Sequence, residues 1–148
     1  MAVFSALTTT KLGKVGETYI AEFAKSKKSK AYIPAKDESY PVDSICISGN
    51  TIWFLEVKTK PRRKWYEDTG CDLNDFKLYC TLDGPVYILW ADFITESLYG
   101  AWLDDLKPVL KEEKGKYAYF PLSSMTTYRT LTTPEVEELK KLNRSKYY

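Results

Sequence analysis

Residues 41–60 read Pro41-Val42-Asp43-Ser44-Ile45-Cys46-Ile47-Ser48-Gly49-Asn50-Thr51-Ile52-Trp53-Phe54-Leu55-Glu56-Val57-Lys58-Thr59-Lys60, and the fold turns on them. Two runs rich in β-branched and aromatic residues, 42–48 and 51–60, flank Gly49-Asn50, a dipeptide suited to a two-residue hairpin turn. With those as the turn residues, Ile47 faces Ile52, Ile45 faces Phe54 and Asp43 faces Glu56. Side chains so opposed have Cβ atoms about 4.5–5.5 Å apart, and two like charges there repel unless a cation sits between them. Because side chains alternate along a strand, Lys58 shares a face with Glu56, while Trp53, Leu55 and Val57 point the other way. Asp43, Glu56 and Lys58 therefore gather at one end of one face, bordering an apolar core. Hard divalent ions take a few carboxylate oxygens plus water and phosphate oxygens, which suits such a pair.

Around this hairpin the 148 residues are 44% apolar, with 22 aromatic side chains, enough for one domain over 1–148 with a real core. The absence of histidine excludes Ser-His-Asp and Cys-His catalysis, His-ligated zinc and any nuclease with a His base. Catalysis is left to carboxylates, lysines, hydroxyls or thiols. Cys46, Cys71 and Cys80 are odd in number and lack CxxC spacing, so reduced core cysteines are expected, not disulfides. No apolar run reaches the roughly 20 residues of a membrane helix, and the start, MAVFSALTTTK, does not read as a signal peptide; a cytosolic protein is expected. Residues 11–64 carry 12 Lys and Arg against 6 Asp and Glu, whereas 65–148 carry 10 against 14, so the half containing the hairpin is the one compatible with a polyanion.

Outward from the hairpin, 10–28 reads as a helix, with Leu12, Val15, Tyr19 and Phe23 at helical spacing and Thr10 as its cap. A short strand is expected over 31–35, a turn over 36–39 and a loop over 61–70. Asp72 caps a helix whose Leu73, Phe76, Tyr79 and Cys80 share one face, and Asp83-Gly84-Pro85 stops it. Residues 86–93 and 97–103 read as paired strands, 107–116 as a polar connection and 117–122 as a further strand. Thr133 caps a last helix with Pro134 at its first position. The order implies an α/β sandwich around a mixed sheet.

Two further features bear on chemistry. Glu17 aligns with Gly13, Ile20 and Ala24 on the first helix, away from Lys14, Thr18 and Lys25; it either meets an interior partner or borders the core with its head in water. The run from Lys58 to Tyr66 mixes Lys60, Arg62, Arg63 and Lys64 with Trp65 and Tyr66. It reads as a clamp on a nucleic-acid backbone, as a stacking surface for an exposed base, or as a solvated loop with Trp65 turned inward.

Pro41-Val42-Asp43, twelve intervening residues and Glu56-Val57-Lys58 resemble the PD-(D/E)xK signature of restriction-endonuclease-like nucleases. The helix with Gly16-Glu17 followed by Ala21 is similar to the first conserved helix of that superfamily, and the likeness spans about residues 10–93. Val42 between Pro and Asp departs from the strict pattern, and Lys77 and Tyr79 are the nearest second-helix candidates, Tyr79 on the apolar face. The resemblance implies a restriction-endonuclease-like mixed sheet flanked by helices (an αβββαβ core), with an added β element and a C-terminal helix. It implies a DNA endonuclease in which Asp43, Glu56 and the carbonyl of Val57 hold Mg²⁺, with Mn²⁺ able to substitute. Lys58 orients or helps deprotonate the attacking water, Glu17 assists through water or a second metal, and Lys60, Arg62, Arg63 and Lys64 meet DNA.

The small archaeal and phage Holliday junction resolvases are similar in size, in the helical Glu and in a strand ending like Glu56-Val57-Lys58-Thr59-Lys60. That likeness implies a homodimer acting on branched or duplex DNA in recombination. A restriction- or repair-type nuclease, a non-catalytic nucleic-acid-binding module and an unrelated interaction domain are the alternatives.

Overall fold

A φ of 58° at Gly49 reverses the chain between Ser44–Ser48 and Thr51–Lys58, a conformation glycine adopts without a Cβ penalty. Asn50 has no positive φ, so the turn has the sign pattern of type II′. The register is the expected one, with Ile47 facing Ile52 and Ile45 facing Phe54. Both strands are two residues shorter at their open end than the sequence suggests, which leaves Asp43 just ahead of the first.

The computed structural model describes residues 8–34 and 41–147. In order these form α1 (Thr8–Ser26), β1 (Lys30–Tyr32), β2 (Ser44–Ser48), β3 (Thr51–Lys58), β4 (Asp68–Asp72), α2 (Leu73–Tyr79), β5 (Val86–Asp92), β6 (Ser97–Trp102), α3 (Leu103–Leu106), β7 (Lys111–Glu113), β8 (Tyr117–Pro121), β9 (Thr126–Thr130) and α4 (Thr133–Tyr147). A six-stranded mixed sheet runs β1-β2-β3-β5-β6-β9, and its β3–β5 pair is parallel. A smaller sheet, β4-β8-β7, lies apart from it.

The pleat sorts the core into two layers. Trp53, Leu55 and Val57 of β3, with Leu89 and Ala91 of β5, meet Tyr19, Ile20 and Phe23 of α1 and Val136 and Leu139 of α4. On the opposite face Ile88 and Trp90 of β5 meet Phe76 and Tyr79 of α2, Leu106 of α3 and Phe120 of β8. Every residue of β5 is buried, as a strand covered on both faces must be. Glu56 and Lys58 lie on the α2 side of β3.

Several expectations shift. The first helix spans Thr8–Ser26, so Thr10 lies within it and not at its cap; the strand near 31–35 is Lys30–Tyr32; the turn at 36–39 lies outside the described residues. The expected loop over 61–70 gives way at Asp68 to β4, and 107–116 contains β7, because both pair with β8. Thr126–Thr130, unforeseen, is the edge strand beside β6. Thr132, not Thr133, caps the last helix: its hydroxyl accepts from the Glu135 N–H (3.4 Å), and Glu135 accepts from the Thr132 N–H (2.8 Å). Asp72 stands at the start of α2 without a side-chain capping bond. Cys46 and Cys71 are buried free thiols, whereas Cys80 is exposed because α2 ends before it. Among the described residues no helix is long and apolar enough to cross a membrane.

Candidate active site

The open end of the hairpin is tied by a reciprocal pair of hydrogen bonds. The Asp43 N–H donates to Glu56 Oε1 (3.0 Å), and the Val57 N–H donates to Asp43 Oδ2 (2.8 Å). The carboxylate of each residue thus secures the other's strand, and the two acids meet as the register requires. From α2, the Tyr79 hydroxyl donates to Glu56 Oε2. Lys58 Nζ stands 3.2 Å from that same oxygen and 3.6 Å from Asp75 Oδ2, and 5.3 Å from the centre of the Tyr79 ring. Helix α2 therefore contributes two residues to the site: Tyr79, which its apolar helical spacing had marked as core, and Asp75, which the sequence did not single out. Lys77 is exposed on the same helix.

Glu56 is only 7% exposed, so its three partners answer a real desolvation cost. Asp43 shows what remains unanswered. Burial, then the hydrogen bond and charge of Glu56, push its carboxyl up to about 8, against the Val57 N–H and Lys58, which favour the ionised form. Burial works against the Lys58 charge, but the carboxylates of Glu56 and Asp75 outweigh it and hold the ammonium above its ordinary range. Burial raises the Cys71 thiol to about 11, so it is neutral near pH 7. Burial and the Glu56 charge likewise keep Tyr79 protonated and donating.

Glu17 reaches the site from the other side of β3. It and Asp43 line one small cleft of about 140 Å³ with Ile20, Ile33, Val57 and Thr59. Asp43 is the link: bonded to Glu56 across the hairpin, it shares open space with Glu17. Among the described residues no group of three or more acidic or thiol side chains forms a ready-made metal cage. Two carboxylates short of positive charge, with Val57 directly after Glu56 in the chain, nevertheless suit Mg²⁺, since it keeps most of its waters and takes one or two protein carboxylates.

Beyond Lys58, residues Lys60, Arg62, Arg63 and Lys64 line a larger cleft of about 380 Å³, closed by Ile94 and Tyr119. The structure brings all four cations to one place but employs them differently. Arg63 is bonded to Asp68 (Nε to Oδ1, 2.7 Å) and Glu113 (Nη1 to Oε1, 3.1 Å), and its guanidinium lies 4.1 Å from the Tyr66 ring centre and 3.6 Å from that of Tyr119. Arg62 donates to the Tyr66 carbonyl (2.9 Å), and its N–H donates to Asp92 Oδ2 (2.8 Å). Asp92, fully buried, also accepts from the Ile94 and Thr95 N–H groups and the Tyr99 hydroxyl. Its place at the end of an apolar strand, before Ile94-Thr95, was the signal for such a turn-fixing acid.

The sheet and the acid-lysine cluster at the end of its hairpin define a mixed α/β architecture with helices on both faces and a terminal helix. Neither a protein-family model nor a curated protein sequence matches the chain. Among solved structures the fold is similar to that of Hjc from Archaeoglobus fulgidus, a Holliday junction resolvase from an archaeal hyperthermophile, with a TM-score of 0.55 at 14% identity, over 78% of this chain and 91% of that one. At that identity the likeness establishes the fold.

Proposed function

We propose that the chain is a metal-dependent DNA endonuclease of the PD-(D/E)xK type, and in its finer form a resolvase of four-way junctions. The observation that carries this reading is the joined set Asp43, Glu56 and Lys58, where two carboxylates meet at the end of a β-hairpin and an ammonium pairs with one of them, Glu56. The fold shared with Hjc supports it.

Asp43 and Glu56, with the Val57 carbonyl, would hold Mg²⁺, and Mn²⁺ would replace it. When bound, the ion would supply positive charge to the scissile phosphate and acidify water at the site. Lys58, fixed by Glu56 and Asp75, orients the attacking water and offsets charge gathering on the phosphate oxygens. Tyr79 holds Glu56 in the rotamer that faces Asp43. Glu17, across the small cleft, accepts a hydrogen bond from a further water. Lys60, Arg62 and Lys64 receive the DNA backbone, and Arg63 shapes their cleft through its bonds to Asp68 and Glu113. A four-way junction presents two equivalent strands, so this reading includes a homodimer with two-fold symmetry.

The test is digestion of four-way junction, duplex, flap and single-stranded DNA side by side with Mg²⁺. Paired symmetric nicks in the junction alone, lost in EDTA, are expected. Duplex cutting of equal efficiency would keep the nuclease and remove the resolvase; robust cleavage by the Asp43→Ala/Glu56→Ala double variant would remove the mechanism.

A further inference from the structure

Trp65 is 81% exposed and Tyr66 54%, whereas Trp53 and Trp90 are buried and Trp102 is 37% exposed. An indole left in water forfeits the apolar burial that would normally hold it in a core. Here that forfeit is built in, because the loop carrying Trp65 is fixed at both ends. Its entry is held by the Arg62 N–H on Asp92 (2.8 Å), and its middle by Arg62 on the Tyr66 carbonyl (2.9 Å) and the Arg63 N–H on the Asp68 carbonyl (3.1 Å). Its exit is held by the Leu122 N–H on the Glu67 carbonyl (3.0 Å), and Arg63 is clasped between the Tyr66 and Tyr119 rings. An aromatic surface presented on an ordered backbone loses little entropy when a ligand covers it.

The charge around the indole says what would cover it. Lys64 Nζ lies 5.0 Å from the Trp65 ring centre, and the cleft lined by Arg62 and Lys64 adjoins the loop. A cation beside an open aromatic surface matches a nucleotide, whose base stacks and whose phosphate pairs. Trp65 stands seven residues beyond Lys58, so the chain places it within about 25 Å, or roughly seven nucleotides of stacked strand.

Resting on the nuclease reading above, we propose that Trp65, backed by Lys64, is a stacking site for an unpaired base, which directs the protein to DNA with bases exposed at a branch, flap or bulge.

The test measures binding of the full chain in EDTA, by fluorescence anisotropy, to a blunt duplex and to the same duplex with a short thymidine flap. Trp65→Ala should weaken flap binding about tenfold and leave duplex binding within about twofold, and Trp65→Phe should retain most of the flap affinity. Tryptophan emission should be quenched by flap DNA in the wild type and not in Trp65→Ala. Equal loss on both DNAs, or none, overturns the stacking site while metal-dependent cleavage by the wild type leaves the nuclease reading standing. A wild type that neither binds nor cleaves DNA overturns both. Loss confined to sedimentation with anionic vesicles, with DNA binding intact, overturns it in favour of a membrane surface.

Discussion

Two clusters of acids and bases flank the main sheet, and they are balanced in opposite senses. On the α1 and α4 side, Arg129 of β9 spans Glu22 (Nε to Oε2, 2.7 Å) and Glu135 (Nη1 to Oε1, 2.8 Å) with paired bonds to each. The guanidinium's hydrogen bonds hold Glu135 down to about 2 and keep Glu22 below the usual carboxylate range. On the α2 side one ammonium, Lys58, serves Glu56 and Asp75, and Asp43, behind Glu56, is pushed up to about 8. The first cluster is complete and joins three elements. The second lacks positive charge in a buried place, an arrangement that selection for stability alone would remove and that a cation would complete.

The largest expected effect breaks the second cluster where its single cation stands. Lys58→Ala should lower junction cleavage by at least about 100-fold with an unchanged circular dichroism spectrum, the scale of losing a positioned proton-handling group. Activity within about tenfold of wild type would take Lys58 out of the chemistry.

Breaking the first cluster should do the reverse. Arg129→Ala should cost about 2 kcal/mol in urea unfolding, since two buried-edge carboxylates lose a charged partner, while cleavage by the folded protein is unchanged. The acid limb identifies the cause. Glu135 and Glu22 have folded pKa values depressed below the ordinary 4.5, so their contribution is present above that value and is lost as pH falls toward about 2. The wild type should lose stability across that window, and the Ala variant should lose distinctly less there. Parallel acid limbs would show that the bridge contributes nothing.

The contrast also explains what could be read from the residues in order. The hairpin was legible because a two-residue turn fixes register locally, so Asp43 opposite Glu56 followed from counting. Tyr19 and Phe23 of α1 and Leu73, Phe76 and Tyr79 of α2 followed from helical spacing, Cys80 falling beyond the end of α2, and the strand Val86–Asp92 followed from its unbroken apolar run. Asp68–Asp72 and Thr126–Thr130 were not legible, since neither alternates apolar with polar residues and each is a strand only through a distant partner, β8 or β6. The same limit hid Asp75 and the role of Tyr79, which the sequence offered only as a second-helix candidate. Tyr79 reads as an apolar-face residue, and only the packing of α2 on β3 shows that its ring is core while its hydroxyl serves Glu56. Arg63 reads as one cation of four, and its acid partners lie five and fifty residues away.

The smallest expected effect sharpens the comparison most, because its sign changes with conditions. Asp43→Asn keeps an oxygen to accept the Val57 N–H and removes one of two facing carboxylates. In EDTA at about pH 9, where Asp43 and Glu56 are both ionised, the variant should therefore be more stable than the wild type, by about 1 kcal/mol, the scale of relieving opposed like charges. With Mg²⁺ at about ten times its dissociation constant the wild type should gain about 1.4 kcal/mol and the variant little, reversing the order. Thermal melts without DNA read both states, independent of any cleavage assay. If Mg²⁺ stabilises the two proteins equally, Asp43 is not a metal ligand. If the variant is already the weaker in EDTA, its hydrogen bonds outweigh the repulsion, and the hairpin end is a brace like the one around Arg129.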